Sequence, residues 1–424
     1  MPDQTTQSTP NKEVSVVTLA AIEAARATLQ GTIVPTPLLP SDRLSSDVGG
    51  RIFVKAENTQ RAGSFKLRGA YTRMCALSPD ERRRGVIAHS AGNHAQGVAL
   101  AARLLGIPAT VVMPEYAPLA KVAATRRYGA NVILHGASFD DAGAYARTLQ
   151  QQQGLTYVHA FDDPLIVAGQ GTVGLEILEQ LPEVSTLLVP VGGGGLIGGI
   201  AVAVRARKPG VRIIGVQAEG CPSVLLSLAA GEPVSVPQAR TIADGIAVKR
   251  PGNVTLPLIR ELVDEVITVD DDEIARAIVY TLQHLRLVTE GAGAVGVAAL
   301  LAGKVRPQPD EQVCVVLSGG NIDANFLARV IEQVLVKQGR YVVLHTSVPD
   351  RPGNLARLLR YAADEGANVI DIQHRRAAWQ VPLDRTGIEL ILEVRDEEHG
   401  RAVISRLEEA GYCIERVGAG EYPG

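Results

Sequence analysis

The stretch Val189-Pro-Val-Gly-Gly-Gly-Gly-Leu-Ile-Gly-Gly199 decides the fold. It opens as an apolar run, passes through four consecutive glycines and continues into an Ala/Val-rich segment. Val184 to Val204 carries no charge and is long enough to cross a bilayer, but Pro190 and Gly192 to Gly195 interrupt it. A strand, a loop and a helix are therefore expected, with no membrane span. Consecutive glycines let backbone N–H groups converge on an anion at the positive end of a helix, so the loop reads as a phosphate cradle. It lacks the Gly-Lys-Ser/Thr ending of a nucleoside triphosphatase loop. Gly193, Gly195 and Gly198 also satisfy Gly-x-Gly-x-x-Gly, and Glu219 ends the next expected strand, where a ribose-binding carboxylate belongs in a dinucleotide fold. A glycine turn that merely permits close helix packing is a third possibility. Taken alone, the loop leaves all three open.

Outward from the loop, short β-branched runs alternate with Ala/Leu-rich segments. Ile52–Ala56, Val86–His89, Ala109–Met113, Asn131–Leu134, Thr186–Val191, Arg212–Gln217 and Gln312–Leu317 read as strands. Val16–Gln30, Asn93–Leu105, Leu119–Tyr128, Phe139–Gln152 and Gly171–Gln180 read as helices. Apolar strands alternating with helices predict parallel sheets covered on both faces, an α/β fold. From Tyr341 the elements shorten into strand, helix, two strands, helix and strand, a ferredoxin-like βαββαβ unit. This places a boundary near residue 335 in a chain of 424 residues, long enough for two to three domains. The 42 basic and 45 acidic residues, with aromatics at 4%, argue against nucleic acid as a partner. Cys75, Cys221, Cys314 and Cys413 are scattered without a Cys-x-x-Cys pair, so neither a disulfide framework nor a zinc knuckle is expected. The polar tail over residues 1–15 contains no apolar signal core, which makes a cytoplasmic setting the expectation.

Three further segments carry chemistry. Gly63-Ser-Phe-Lys-Leu-Arg-Gly69 puts Lys66 between apolar neighbours at a helix start. Such a lysine can simply snorkel, but a desolvated one has a lowered pKa and can form a Schiff base. His89-Ser-Ala-Gly-Asn-His94 follows a strand and opens a helix, and its amides and hydroxyl suit a carboxylate. A metal reading of His89 and His94 is poor, because the two are not four residues apart and no carboxylate adjoins them. Leu317-Ser-Gly-Gly-Asn321 offers a hydroxyl at a strand's carboxyl end, where α/β sheets bind ligands.

In combination these motifs resemble the fold-type II pyridoxal-phosphate (PLP) enzymes, specifically the threonine dehydratases, or threonine ammonia-lyases. The order Ser-Phe-Lys-x-Arg-Gly, Ser-x-Gly-Asn-His, Gly-Gly-Gly-Gly-Leu, Ser-Gly-Gly-Asn is jointly specific, and the resemblance covers about residues 16–335. It implies a tryptophan synthase β-like fold of two parallel-sheet subdomains, the smaller over roughly residues 60–160. Residues 341–424, with Pro349-Asp-Arg-Pro-Gly-Asn-Leu355, resemble an ACT regulatory domain, as in medium-length forms of the enzyme.

The resemblance also implies roles. Lys66 would hold PLP as a Schiff base and then take the substrate Cα proton. Phe65 would pack on the pyridine ring, Asn93 would bond its phenolate oxygen and Ser318 would face its nitrogen. Gly192, Gly193, Gly194, Gly195 and Leu196 would bind the phosphate through backbone amides. Ser90, Ala91, Gly92 and His94 would surround the substrate carboxylate, and Glu290 would sit near the ring. PLP would serve as the electron sink while the protein orients the substrate. The implied reaction is deamination of L-threonine to 2-oxobutanoate and ammonia, with L-serine to pyruvate beside it. The setting would be isoleucine biosynthesis or threonine catabolism, in a homodimer or homotetramer.

Alternatives on the same scaffold are serine racemase, 3-hydroxyaspartate dehydratase and β-replacement chemistry. Racemases of this group carry a second serine where this chain has Ala91, which argues against racemisation. Some relatives bind a cation through a glutamate and a nearby aspartate. Here Glu219 is followed by Gly-Cys-Pro-Ser, so no metal is expected. An NAD dehydrogenase and a non-catalytic amino-acid sensor are the readings from other classes. In the tail, Asp350, Gly353 and Asn354 stand where a strand enters a helix, and Gly353 and Asn354 would present free N–H groups to an amino-acid effector's carboxylate.

Overall fold

β-branched runs too apolar to face water become the parallel strands of two sheets. The computed structural model describes residues 17–375 and 382–416, so the polar tail assigned to residues 1–15 lies outside the described residues. The chain divides into two compact units, Met1–Asp323 and Ala324–Gly424. The division falls ahead of the helix Ala324–Lys337, whereas the sequence placed the boundary near residue 335.

In the first unit the strands are β1 (Leu38–Pro40), β2 (Arg51–Lys55), β3 (Val86–His89), β4 (Ala109–Met113) and β5 (Asn131–Leu134). They continue with β6 (Thr156–Tyr157), β7 (Thr186–Pro190), β8 (Arg212–Ala218), β9 (Glu265–Val269) and β10 (Gln312–Val316). The larger sheet has the order β1-β2-β10-β7-β8-β9, with only β1 antiparallel. The smaller runs β5-β4-β3-β6, all parallel. This is the α/β architecture of paired parallel-sheet subdomains that the sequence predicted, and β3 to β6 fall within residues 60–160. β7 and β10 are neighbours, in register from Thr186 opposite Val313. The loops that leave their carboxyl ends are the four-glycine loop and Ser318-Gly-Gly-Asn321, so the topology brings these motifs side by side.

Helix Pro164–Gln180 begins seven residues before the segment predicted from Gly171. Asp163 caps it, accepting from the Leu165 and Ile166 amides, and Pro164 fits the first position because its missing N–H would have no partner there. Apolar side chains of this helix and of Gly195–Arg207 fill the cores against the larger sheet, with Val173, Ile177, Ile197 and Ile200 inaccessible. Among the described residues, no helix is long and apolar enough to cross a membrane.

The second unit contains β11 (Tyr341–Pro349), β12 (Asn368–Arg375), β13 (Arg385–Glu393) and β14 (Glu415–Arg416). They form an antiparallel sheet in the order β12-β13-β11-β14. With helices Asn354–Asp364 and Glu397–Glu409 this is the ferredoxin-like βαββαβ topology. Burial alternates residue by residue along β11, so one face is buried with Leu358, Ala362, Val403 and Leu407 from the helices.

Candidate active site

Lys66 is the first residue of helix Lys66–Cys75, and its Nζ donates to Ala160 O at 3.0 Å. Burial holds its ammonium down at about 8, against a partial upward pull from the carboxylate of Glu290. An amine at that value is partly neutral near pH 7 and can act as nucleophile and base. The preceding Phe65 ring lies 5.0 Å from Nζ by its centroid. The loop after β10 is tied to the lysine segment by backbone bonds: Phe65 N–H donates to Ser318 O at 3.2 Å, and Gly320 N–H to Gly63 O at 2.9 Å.

Asn93 opens helix Asn93–Leu105, which has no side-chain cap. Its Nδ2 donates to Glu290 Oε1 at 2.5 Å, and its Oδ1 accepts from Asn321 Nδ2 at 2.8 Å. Glu290 is buried, and burial with the nearby Asp244 carboxylate raises it to about 7. Ser318 is buried and donates weakly to Ala292 O at 3.4 Å. Ser90 Oγ accepts from Gly92 N–H at 3.1 Å, shaping the turn that carries Ala91. His94 turns its ring to Val158 O at 2.9 Å, and burial holds it neutral, down at about 3. Its side chain is thus committed to the backbone of the smaller subdomain. Only its amide, at the helix start, is open to a carboxylate.

The four-glycine loop enters helix Gly195–Arg207. Among the described residues, the N–H groups of Gly192, Gly193, Gly194, Gly195 and Leu196 make no hydrogen bond. The carbonyl side is fixed instead, with Thr255 Oγ1 donating to Gly193 O at 2.6 Å. Gly194 has φ +93°, and a Cβ on Gly193 would sit 2.4 Å from the Phe161 ring. A side chain on Gly193 would therefore collide with the Phe161 ring, which packs against the loop. Phe161 follows Ala160, which accepts from Lys66, so the amine and the amides belong to one site. A reactive amine, a run of unbonded amides at a helix start and an amide side chain fit the aldehyde, phosphate and ring oxygen of PLP.

Sequence reasoning missed His159, Ala160, Phe161, Thr255 and the role of Asn321. His159 Nδ1 accepts from Phe161 N–H and Asp162 N–H at 3.2 and 2.8 Å, which sets the turn that brings Ala160 O to Lys66. Asn321 had a signal in the Ser-Gly-Gly-Asn motif. The others sit in no motif. Glu219 is exposed at the end of β8, and among the described residues no group of three His, Cys, Asp or Glu side chains could hold a metal ion.

Residues 29–319 match the family model described as pyridoxal-phosphate dependent enzyme. The chain is 50% identical over 403 residues to the L-threonine ammonia-lyase of Thermotoga maritima, covering 95% of this chain and 100% of that relative. It is 45% identical over 315 residues to L-threonine dehydratase catabolic TdcB of Escherichia coli (strain K12), which covers 74% of this chain and 96% of the relative. Maize serine racemase superposes with a TM-score of 0.71 at 37% identity, over 76% of this chain and 98% of that structure.

Proposed function

The chain belongs to the pyridoxal-phosphate dependent enzymes, and from that premise we propose that it is an L-threonine ammonia-lyase, releasing 2-oxobutanoate and ammonia, with L-serine as a second substrate. PLP, when bound, supplies the electron sink that lets a Cα proton and then the β-hydroxyl leave. Lys66 would hold the cofactor covalently and take the Cα proton. The Gly192–Leu196 amides would bind the phosphate, Asn93 the ring oxygen, Ser318 the ring nitrogen, and Phe65 would lie against the ring. The amides at the start of helix Asn93–Leu105, beside Ser90, Ala91 and Gly92, would orient the substrate carboxylate. What carries this reading is the buried Lys66 amine joined through Ala160–Phe161 to a loop of unbonded amides.

We further read the second unit as an ACT-like amino-acid-binding regulatory domain, on the strength of its βαββαβ topology. Two local details differ from the expected effector site. The helix starts at Asn354 with Gly353 as cap at φ +90°, so Pro352 precedes it. The Asn354 amide already donates to Arg351 O at 3.4 Å, and Asn354 Nδ2 faces Pro349 O and Arg351 O. Gly353 is thus the better candidate for an open amide, while Asp350 N–H donates to Asp384 O. A cytoplasmic homo-oligomer completes the proposal.

The test is direct. The purified protein should absorb in the visible, and borohydride should fix the cofactor on the peptide containing Lys66. L-threonine should yield 2-oxobutanoate, with Lys66→Ala folded but lacking turnover. If Lys66→Ala keeps a tenth of the wild-type kcat, a barrier change of only about 1.4 kcal/mol, the assignment of Lys66 fails.

A further inference from the structure

The first turn of the Lys66 helix also carries Arg68, which is completely buried. Phe65 provides no side-chain cap, and no acidic residue occupies the turn. Two cations therefore stand at the positive end of a helix, where the backbone dipole disfavours both. Besides the backbone N–H bonds of Phe65 to Ser318 and of Gly69 to Gln170, the turn is held by what Arg68 touches. Its Nε and Nη2 donate to Glu57 at 2.9 and 2.7 Å, its Nη1 and Nη2 to Glu176 at 2.6 and 2.9 Å, and its Nη1 to Thr172 Oγ1 at 3.0 Å. All five guanidinium donors are used. Lys55 completes the group, donating to Thr36 O, Glu176 Oε2 and Gln180 Oε1 at 2.7, 2.6 and 2.9 Å.

The group balances two cations with two carboxylates and joins the elements that build the site. Lys55 ends β2, and its carbonyl accepts from Leu317 N–H at 3.0 Å, next to Ser318. Thr172, Glu176 and Gln180 lie on helix Pro164–Gln180. The two helices touch so closely that a Cβ on Gly169 would lie 2.6 Å from Gly69 Cα. One buried hydrogen bond locks that contact, from Gly69 N–H to Gln170 Oε1 at 3.2 Å. The bidentate fork of Arg68 on each of two carboxylates adds four directional bonds to that single one. Residues two apart on a helix do not face each other, so Arg68 points away from Lys66 and acts on it only through the backbone.

We propose that Arg68 is a positioning residue for Lys66, its fork fixing the first helical turn so that the ε-amine stays at Ala160 O. This role rests on the reading of Lys66 as the cofactor lysine. The test compares full-length wild type with Arg68→Lys, which keeps the charge and loses the fork. Expected are a fall of about 10–100-fold in kcat with a far smaller change in KM, and slower covalent capture of added PLP by the cofactor-free protein. The midpoint of the pH dependence of that capture should rise, because a loosened amine regains water. A merely structural role would lower Tm and leave capture rate and midpoint in place, and that result overturns the proposal. Should Arg68→Lys not fold, the near-isosteric Thr172→Val removes one bond of the five, together with the hydroxyl's own bond within its helix to Gly169 O at 2.7 Å, and should show the same changes at about two- to tenfold. Unchanged capture and kcat in Thr172→Val overturns the proposal equally. If wild type captures no PLP, the cofactor reading itself falls, and with it the role assigned here.

Discussion

Burial sets the chemistry of Lys66. The native amine is held near 8, while the unfolded chain returns to 10.5. Between those values the unfolded chain carries a proton that the native chain lacks, so this residue makes the cofactor-free protein more stable as pH rises through that window. The same neutral amine is the nucleophile. Capture of PLP by cofactor-free protein should therefore accelerate from pH 7 to 9 with a midpoint near 8, followed by stopped-flow absorbance. A midpoint near 10 would mean that the amine is solvated. Glu290 works in the opposite sense: raised from 4.5 to about 7, it keeps a proton in the native state that the unfolded chain gives up, so its contribution weakens as pH rises through that range. Glu290→Gln should flatten the stability profile over that interval, measured by urea midpoints. Lys66 and Asn93 were legible as candidates because each opens a helix inside a compact motif, and Ser318 because it follows the carboxyl end of a strand. Ala160 was not, because its contact with Lys66 spans 94 positions and uses a backbone carbonyl that any residue supplies.

At the scale of elements, the sequence was read correctly where a β-branched run is bounded by turn residues, in the largely buried β3 and β4 and also in the half-exposed edge strand β5. Val86–His89, Ala109–Met113 and Asn131–Leu134 have the bounds predicted, each a short β-branched run. β1 and β6, at three and two residues, are too short to show a period. β9, at the sheet edge, was missed because Glu265 is exposed and acidic residues flank it, which hides its buried face among charges. The four-glycine loop was legible as a candidate anion cradle, but the Phe161 ring packed on it was not, since Phe161 reaches it only in the folded chain. That contact makes a specific prediction. Gly193→Ala would force a Cβ to within 2.4 Å of the Phe161 ring, and overpacking of this kind costs about 1–3 kcal/mol. PLP affinity should fall by about 5–150-fold by equilibrium dialysis, while Gly210→Ala, with nothing within 4 Å of its Cβ, should bind as wild type. Equal affinity in the two variants would mean that Phe161 does not shape the loop.

At the scale of the whole molecule, each unit has the means to fold alone. Apolar clusters such as that around Val189, Ile197 and Cys314 lie entirely within the first unit, and Leu344, Leu358 and Leu390 fill a separate one in the second. The 315 residues matched by the Escherichia coli relative account for 96% of that protein, so a chain of this extent can stand as a whole protein. A chain ended after Asp323, where the two units divide, should therefore keep threonine turnover. The βαββαβ unit would then be the part that senses. If it binds an amino acid through the turn at Gly353, the ligand can act on turnover only by its differential affinity for two states of the full chain. Such couplings are typically worth 1–3 kcal/mol, so an effector should change the apparent affinity for threonine by about 5–150-fold in the full chain and not at all in the shortened one. Isoleucine, the end product of the pathway that threonine deamination would feed, is the first ligand to titrate, followed by the other amino acids, with initial rates at subsaturating threonine. Gly353→Ala, strained at φ +90°, should blunt the response while leaving the basal rate intact. A full chain indifferent to every amino acid, with a shortened chain of equal activity, would make the second unit a structural appendage.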